Sequence, residues 1–146
     1  MGLVEYVSLA ATAWFMGFFP MFEIYLAIPS TMLLGLDGIS AVLWAGVGNF
    51  LPIPLLAYFY DWLHRFKRLS GWLDRLENHR LSYLMREKGS WIIILVTPLL
   101  GSWVVGVIGH SIGMKRLTLL IYSAISIFGY GLLIAWLTSQ GIEIAV

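Results

Sequence analysis

The fold of this chain is decided by residues 20–36, PMFEIYLAIPSTMLLGL, an apolar stretch that two prolines interrupt. Pro20 and Pro29 each remove a backbone donor from any helix that contains them, and Glu23 adds a carboxylate between the two. In a bilayer, interrupted backbone is tolerated only where protein or a wet cavity surrounds it. The stretch therefore predicts a re-entrant hairpin, provided that the chain is a membrane protein.

The composition indicates that it is one. The chain has 146 residues, of which 60% are hydrophobic and 12% charged, whereas soluble domains carry about 45–50% apolar and about 25% charged residues. A domain of this size keeps much of its surface in water, so an ordinary core cannot use so much apolar surface. The sequence predicts a multi-pass integral membrane protein, and we expect it in a prokaryotic plasma membrane.

Several chemistries lack any motif in this sequence. There is no cysteine, and the three histidines show no metal-ligand spacing, so we expect no metal site and no cofactor. Phosphate-binding loops, zinc-protease helices and serine-hydrolase elbows are also missing, so we predict that the protein is not an enzyme. The few basic residues lie beside apolar segments, which gives no case for binding nucleic acid.

The charge distribution predicts the topology. Nine residues are Lys or Arg; seven of them lie in Asp61–Lys88, and the other two are Lys115 and Arg116. Loops rich in Lys and Arg stay in the cytoplasm, so the segment Trp91–Met114 would begin and end on the same side. It is predicted to be a second re-entrant hairpin, although a single tilted helix remains an alternative.

The polar block has a pattern of its own. Trp62, Leu63, Phe66, Leu69 and Trp72 begin an apolar series at steps of three and four residues, with basic residues between them. This pattern predicts a basic amphipathic helix that lies in the membrane interface. A solvated connector is the alternative.

The chain also carries an internal repeat. When the sequence is shifted along itself until Pro20 falls on Pro98, Gly35 falls on Gly113 without a gap. Because the two halves are predicted to have opposite orientations, they would form an inverted repeat, the plan that secondary transporters use around a site near the bilayer midplane.

The predicted fold is thus all-α, a single membrane domain over residues 1–146. Its segments are a helix at 3–19, re-entrant hairpin 1 at 20–36, a transmembrane helix at 39–60, a basic amphipathic cytoplasmic helix at 61–90, re-entrant hairpin 2 at 91–114 and a transmembrane helix at 117–137.

Two polar residues in apolar surroundings are the main candidates for transport. Glu23 is predicted to face the protein interior and to exchange protons or contact substrate, with an interfacial carboxylate as the alternative. Asn49 is either a structural amide that bonds a neighbouring helix or a substrate contact. The residues predicted to break the hairpins are Pro29, Pro98 and Gly101, and those that could line a cavity are Tyr25, Ser30, Thr31, Ser102 and His110.

Three motifs resemble a known family. The segment Phe22–Thr31, FEIYLAIPST, is followed by Gly48-Asn49 and then by TPLLGSWVVG at residues 97–106. Their order and spacing resemble the small multi-drug export protein family, which is similar to the DedA (SNARE-associated, VTT-domain) superfamily. The resemblance implies two re-entrant hairpins that face each other, and movement of lipids or proton-dependent transport. It assigns Glu23 and Pro29 to the first hairpin motif, and Pro98 and Gly101 to the second.

One departure from that family bears on the substrate. Tyr25 stands where the family often has Arg, and the second hairpin also lacks the Arg of DedA proteins. The basic group that would hold a phosphate inside the membrane is therefore missing.

We therefore predict a DedA-like membrane transporter or lipid translocase, linked to protons, with a midplane site between two opposed hairpins. The alternative is a non-transporting scaffold that organises lipids or partner proteins. The expected partners are membrane lipids, a lipid or small-molecule substrate that the sequence does not identify, protons and a second copy. A homodimer is expected because one copy offers little protein to bury broken backbone, and the glycine faces of Ala41–Gly48 and Ile125–Gly131 are predicted to pack it.

Overall fold

A computed structural model describes residues 1–77 and 82–145, and this part of the chain contains helices and no β-strand. Two of the described helical stretches, Gly38–His64 and Arg116–Gly141, are long and apolar enough to cross a membrane. The helices are α1 (Leu3–Phe18), α2 (Glu23–Leu33), α3 (Gly38–Phe50), α4 (Pro52–His64), α5 (Lys67–Glu77), α6 (Ser82–Lys88), α7 (Ile93–Leu100), α8 (Ser102–Ser111) and α9 (Arg116–Ala145), with a 3-10 turn at Ser90–Ile92 before α7.

The helix boundaries differ from the predicted segments in three places, one of which is α9, which extends to Ala145. Residues 20–36 contain one helix, α2, and the turn before it, so the other arm of the first helical hairpin is α1. The polar block is not one helix, because α4 runs on to His64 and is followed by α5 and α6. Part of this block, residues 78–81, lies outside the described residues. The segment predicted as the transmembrane helix 39–60 consists of α3 and α4, and Leu51 between them keeps helical dihedral angles.

The ends of α2 and α8 are equivalent in the sequence repeat, and they have the same structure. Each helix ends in a glycine with positive φ, which is +106° at Gly35 and +70° at Gly113. The two backbone bonds of a Schellman motif close both ends. At the end of α2, Gly35 N–H donates to the Met32 carbonyl at 3.0 Å and Leu36 N–H donates to the Thr31 carbonyl at 2.9 Å. At the end of α8, Gly113 N–H donates to the His110 carbonyl at 3.1 Å and Met114 N–H donates to the Gly109 carbonyl at 3.0 Å.

The structure forms two compact units. Unit 1 contains Met1–Phe50 and the part of α9 from Ile127 onwards, and unit 2 is Leu51–Ser126. Each unit therefore contains one helical hairpin, α1–α2 in unit 1 and α7–α8 in unit 2. The local repeat is visible in both, while the opposite orientation of the hairpins in a membrane stays a prediction.

Small residues bring the helices of unit 1 close together. Gly17 on α1 contacts the backbone of Ala45, and Gly48 on α3 contacts the backbone at Trp14. Side chains this small allow two helices to approach closely in lipid. As a result, α1 and α3 pack backbone to backbone.

The glycine faces predicted to bind a second copy are used inside unit 1. Gly46 lies against the ring of Phe128, and Gly131 packs on Val42 and Ile28. These two glycines therefore serve the contact between α3 and α9, and the packing of a second copy on the rest of the two surfaces stays a prediction.

In unit 2, the apolar face of α5 packs on α4 and α8. Leu73 is fully buried in a cluster with Leu56 and Val107, and the rings of Trp72 and Trp103 meet edge to face with centroids 5.4 Å apart. Other members of the predicted apolar face stay exposed, among them Trp62 and Phe66. The centre of this face is therefore a protein contact, and only its flank is left for the membrane interface.

Candidate functional site

Glu23 lies at the break between the two arms of the first hairpin. Helix α1 ends at Phe18, and Pro20 cannot continue it because proline has no N–H. A tight turn follows, in which the N–H groups of Phe22 and Glu23 donate to the carbonyl of Phe19 at 3.2 and 3.3 Å. The rings of Phe19 and Phe22 lie 5.9 Å apart in this turn. Glu23 therefore begins α2 from an aromatic, apolar turn.

The backbone of Glu23 is in the left-handed region, with φ at +49°. This is the one non-glycine residue with positive φ in the described chain. Its counterpart in the sequence repeat is Gly101, where φ is +86°. A non-glycine residue held in this region costs about 1–3 kcal/mol, and such residues cluster at functional sites. The break in the second hairpin is at a glycine, whereas the break in the first hairpin is at a glutamate.

The side chain of Glu23 is half-buried. Within the described ranges, no basic group lies within ion-pairing distance of its carboxylate. In a bilayer, a carboxylate is costly and usually faces the protein interior or a water-filled cavity.

Asn49 joins α3 to the end of α1. Its side-chain amide donates to the carbonyl of Gly17 at 3.0 Å, and the residue is buried. The last carbonyls of a helix have no partner within that helix, so Asn49 satisfies one of those left at the end of α1. Of the two roles predicted for Asn49, the structural one is what this contact shows.

The other candidates on α2 have different environments. Thr31 is fully buried and donates to the carbonyl of Ala27 at 2.6 Å. Because Pro29 has no N–H, the carbonyl of Tyr25 lacks its usual helical donor. Thr31 bonds a different carbonyl and does not satisfy this one. Ser30 is half-buried, whereas the side chain of Tyr25 is exposed. These residues do not share one face of the helix.

A comparable contact holds the second hairpin. Pro98 in α7 deprives the carbonyl of Ile94 of its helical donor. Ser126 on α9 donates to that carbonyl at 2.7 Å. Ser126 and Ile94 lie close to the positions that the repeat assigns to Asn49 and Gly17. Each unit therefore uses a polar side chain of the following helix to bond a free carbonyl in the first arm of its hairpin.

Two serines beside this hairpin are fully buried without a hydrogen-bond partner in the described structure. Ser102 is the first residue of α8, directly after Gly101, and Ser123 lies on α9. A buried hydroxyl without a partner is costly, so packing alone gives no reason for a serine at either position. Ser102 was predicted from the sequence, and Ser123 and Ser126 were not, although polar residues in an apolar helix are a usable signal.

His110 lies at the other end of α8. Its ring stacks on that of Tyr60, with centroids 4.3 Å apart, and the residue lines a cavity of about 220 Å³ together with Arg116. His110 therefore lies in unit 2, at the Schellman turn that ends α8. The residues that the structure describes contain no group of three or more metal-ligating side chains.

Comparison with known proteins gives one match. The family model described as "Putative small multi-drug export protein" matches residues 23–133, which is about three quarters of the chain. No curated protein and no solved structure gives a significant match. The matched range begins at Glu23 and includes the break between the two arms of each hairpin, at Glu23 and at Gly101.

Proposed function

The chain belongs to the small multi-drug export protein family, and from this premise we propose that it is a membrane transporter in which Glu23 exchanges protons or contacts the substrate. The family name and the two apolar helices, Gly38–His64 and Arg116–Gly141, support a membrane protein that exports small molecules.

The observation that carries this proposal is the left-handed backbone of Glu23. A glycine would make the same break at no steric cost, as Gly101 does in the second hairpin. The backbone therefore does not require a carboxylate at position 23. Glu23 is a half-buried acid at a strained helix break, next to an aromatic turn, and it has no cationic partner in the described chain. These are the properties of a site residue.

We also propose that the two hairpins form an inverted, DedA-like pair with a site near the midplane. The supporting observations are the matching helix breaks and the residues that precede the following helices. Asp37 precedes α3 and Lys115 precedes α9, at equivalent positions of the repeat. Lys115 is followed by Arg116, whereas no Lys or Arg lies near Asp37. This difference favours opposite sides of the membrane, since basic residues are retained in the cytoplasm.

Single cysteines test this orientation, because the chain has none of its own. Gly38→Cys should react with an impermeant thiol reagent from outside, while Met114→Cys should react only after the membrane is opened. Equal reactivity of both from the same side would contradict the inverted arrangement.

Reconstituted vesicles test the role of Glu23. Three probes cover the candidate substrates: a cationic dye, a fluorescent phospholipid, and a pH-sensitive dye trapped inside the vesicles. We expect the wild type to move at least one probe in a manner that depends on the pH gradient. Glu23→Gln should abolish this movement, because its side chain has no carboxylate to protonate.

Glu5→Gln is the matched control, since Glu5 is an exposed carboxylate in the first turn of α1. It should keep wild-type activity. Unchanged movement in Glu23→Gln would remove Glu23 from the mechanism. A wild type that moves none of the probes would favour the alternative, a membrane scaffold.

A homodimer remains part of the proposal. Gly46 and Gly131 are used inside unit 1, so the dimer surface would not include them. Mass measurement in mild detergent should give twice the chain mass, and a monomer alone would contradict it.

A further inference from the structure

The two adjacent basic residues at the start of α9 have different surroundings. Lys115 lines a cavity of about 440 Å³ together with Ser90 and Thr118. Arg116 lines the separate cavity of about 220 Å³, and its guanidinium carbon lies 4.8 Å from the centroid of the Tyr58 ring. The two residues thus line different cavities, and Arg116 also contacts an aromatic ring.

The lining of the larger cavity is suited to an anion. Among the described residues that line it, Lys115 is the one with a charge, and Ser90 and Thr118 each contribute a hydroxyl. Within the described residues, no carboxylate lies within ion-pairing distance of Lys115. An ammonium group and two hydroxyls offer several donors and one positive charge, which is the chemistry that binds phosphate oxygens.

The rest of the lining is apolar. Ile112 and Met114 form part of the wall beside Lys115. The volume lies within the range of about 300–1,000 Å³ that is typical of small-molecule sites. Lys115 directly precedes Arg116–Gly141, which is long and apolar enough to cross a membrane, so it lies at one end of that stretch.

We propose that this cavity binds a phosphate-bearing anion through Lys115, Ser90 and Thr118. The apolar wall next to the donors favours the phosphate of a lipid headgroup, whose glycerol and first acyl carbons would lie against Ile112 and Met114. Free phosphate shares the same chemistry and is distinguished by experiment. The cavity belongs to unit 2 and Glu23 to unit 1, so this site does not depend on the proposed transport role of Glu23.

Bound phosphate would connect two separate segments of unit 2. Ser90 precedes α7 and Thr118 lies in the first turn of α9. An anion that accepts hydrogen bonds from both would hold the start of the second hairpin against the helix that follows it. Binding should therefore raise the thermal stability of the protein, since a ligand that binds only the folded state stabilises it.

The experiment uses the full chain, purified in a nonionic detergent, with thermal unfolding followed by intrinsic fluorescence. Phosphatidylglycerol is titrated in mixed micelles, with phosphatidylcholine and inorganic phosphate as separate arms. We expect phosphatidylglycerol to raise the Tm of the wild type. The rise should be lost in Lys115→Gln and reduced in Thr118→Val, which keeps the charge and the shape but lacks the hydroxyl.

Lys67→Gln is the matched control, because it removes the same charge from an exposed position on α5, outside the cavity. It should keep the wild-type response. If inorganic phosphate alone raises the Tm in a manner that depends on Lys115, the ligand is free phosphate, and if only phosphatidylglycerol does so, it is the lipid.

Two results would overturn the site. One is an equal response of wild type and Lys115→Gln to every probe. The other is a response that Lys115→Gln loses and Thr118→Val keeps in full, since charge alone would then account for binding. If Lys115→Gln does not fold, Thr118→Val and Ser90→Ala decide the outcome, because neither changes the charge of the protein.

Discussion

Substitution of glycine by alanine should have opposite effects on stability at Gly48, which lies in the close contact between α1 and α3, and at Gly129, which lies outside it. At Gly48, an added methyl carbon would overlap the carbonyl oxygen of Trp14. It would also lie 2.9 Å from the carbonyl carbon of Trp14 and 3.1 Å from the backbone nitrogen of Phe18, where ordinary contact begins at 3.4 Å. All three atoms belong to the backbone of α1. Since none can rotate away, Gly48→Ala requires α1 and α3 to separate.

The cost follows from the contacts that such a shift disturbs. Overpacking of a well-packed contact costs about 1–3 kcal/mol. The shift would also weaken the bond from Asn49 to the carbonyl of Gly17, and hydrogen bonds between membrane helices average about 0.6 kcal/mol. Alanine in a helix gains about 0.5–1 kcal/mol over glycine, which offsets part of this. We expect Gly48→Ala to lower the free energy of unfolding by about 1–3 kcal/mol.

Gly129→Ala is the control, because Gly129 lies inside α9 with no atom within 4 Å of the added carbon. Only the gain in helix propensity applies there, so this variant should be more stable than the wild type by about 0.5–1 kcal/mol. Both variants are unfolded with a denaturing detergent in mixed micelles, and tryptophan fluorescence reports the transition. If Gly48→Ala is as stable as Gly129→Ala, the contact between α1 and α3 is not as close as described.

Three further predictions concern single residues. Glu23→Gly should be more stable than Glu23→Ala by about 1 kcal/mol in the same unfolding assay, because φ at this position is positive and only glycine adopts it without strain; equal stabilities would contradict the left-handed backbone. Ser126→Ala should lose about 0.6–1.7 kcal/mol, since the carbonyl of Ile94 that Pro98 leaves free would lose its donor; an unchanged unfolding midpoint would contradict this bond. Hydrogen bonds from the side chain and backbone N–H of Ser40 hold the pKa of Asp37 below its usual value. The stability from this interaction should be complete at neutral pH and lost as the pH falls below about 4 towards the lowered pKa, and Asp37→Asn should abolish this pH dependence in unfolding midpoints measured across the acid range.

The helix breaks could be predicted from the sequence because proline and glycine act locally. Pro20 ends α1 through its own missing N–H, and the glycines at 35 and 113 end α2 and α8 through their own positive φ. The alignment of Pro20 with Pro98 also aligns Gly35 with Gly113, the two glycines that end α2 and α8 in the same way. It did not identify the break in the first hairpin at Glu23, because residue type alone gives no reason for a glutamate to adopt a positive φ.

The partners of buried polar groups could not be predicted. Asn49 and Ser126 each bond a carbonyl 32 residues earlier in the chain, and this pairing depends on how two helices pack. The same reason explains why the partner of Gly46 could not be predicted. A glycine face indicates that something approaches closely, and the sequence does not say whether that partner is a second copy or, as here for Gly46, the Phe128 ring of the same chain.

The division of the chain into a contiguous unit and a split unit has a consequence for synthesis on the ribosome. Unit 2 is complete once residue 126 has been translated, but unit 1 needs Ile127 and the residues after it. At about 5–20 residues per second, the helices that end at Phe50 wait about 4–15 seconds for the segment that fills the space beside Gly46. During that interval the segment that packs on Gly46 is absent. Contacts within Leu51–Ser126 can therefore form without the later part of α9, whereas the N-terminal helices reach their final packing only when that part arrives.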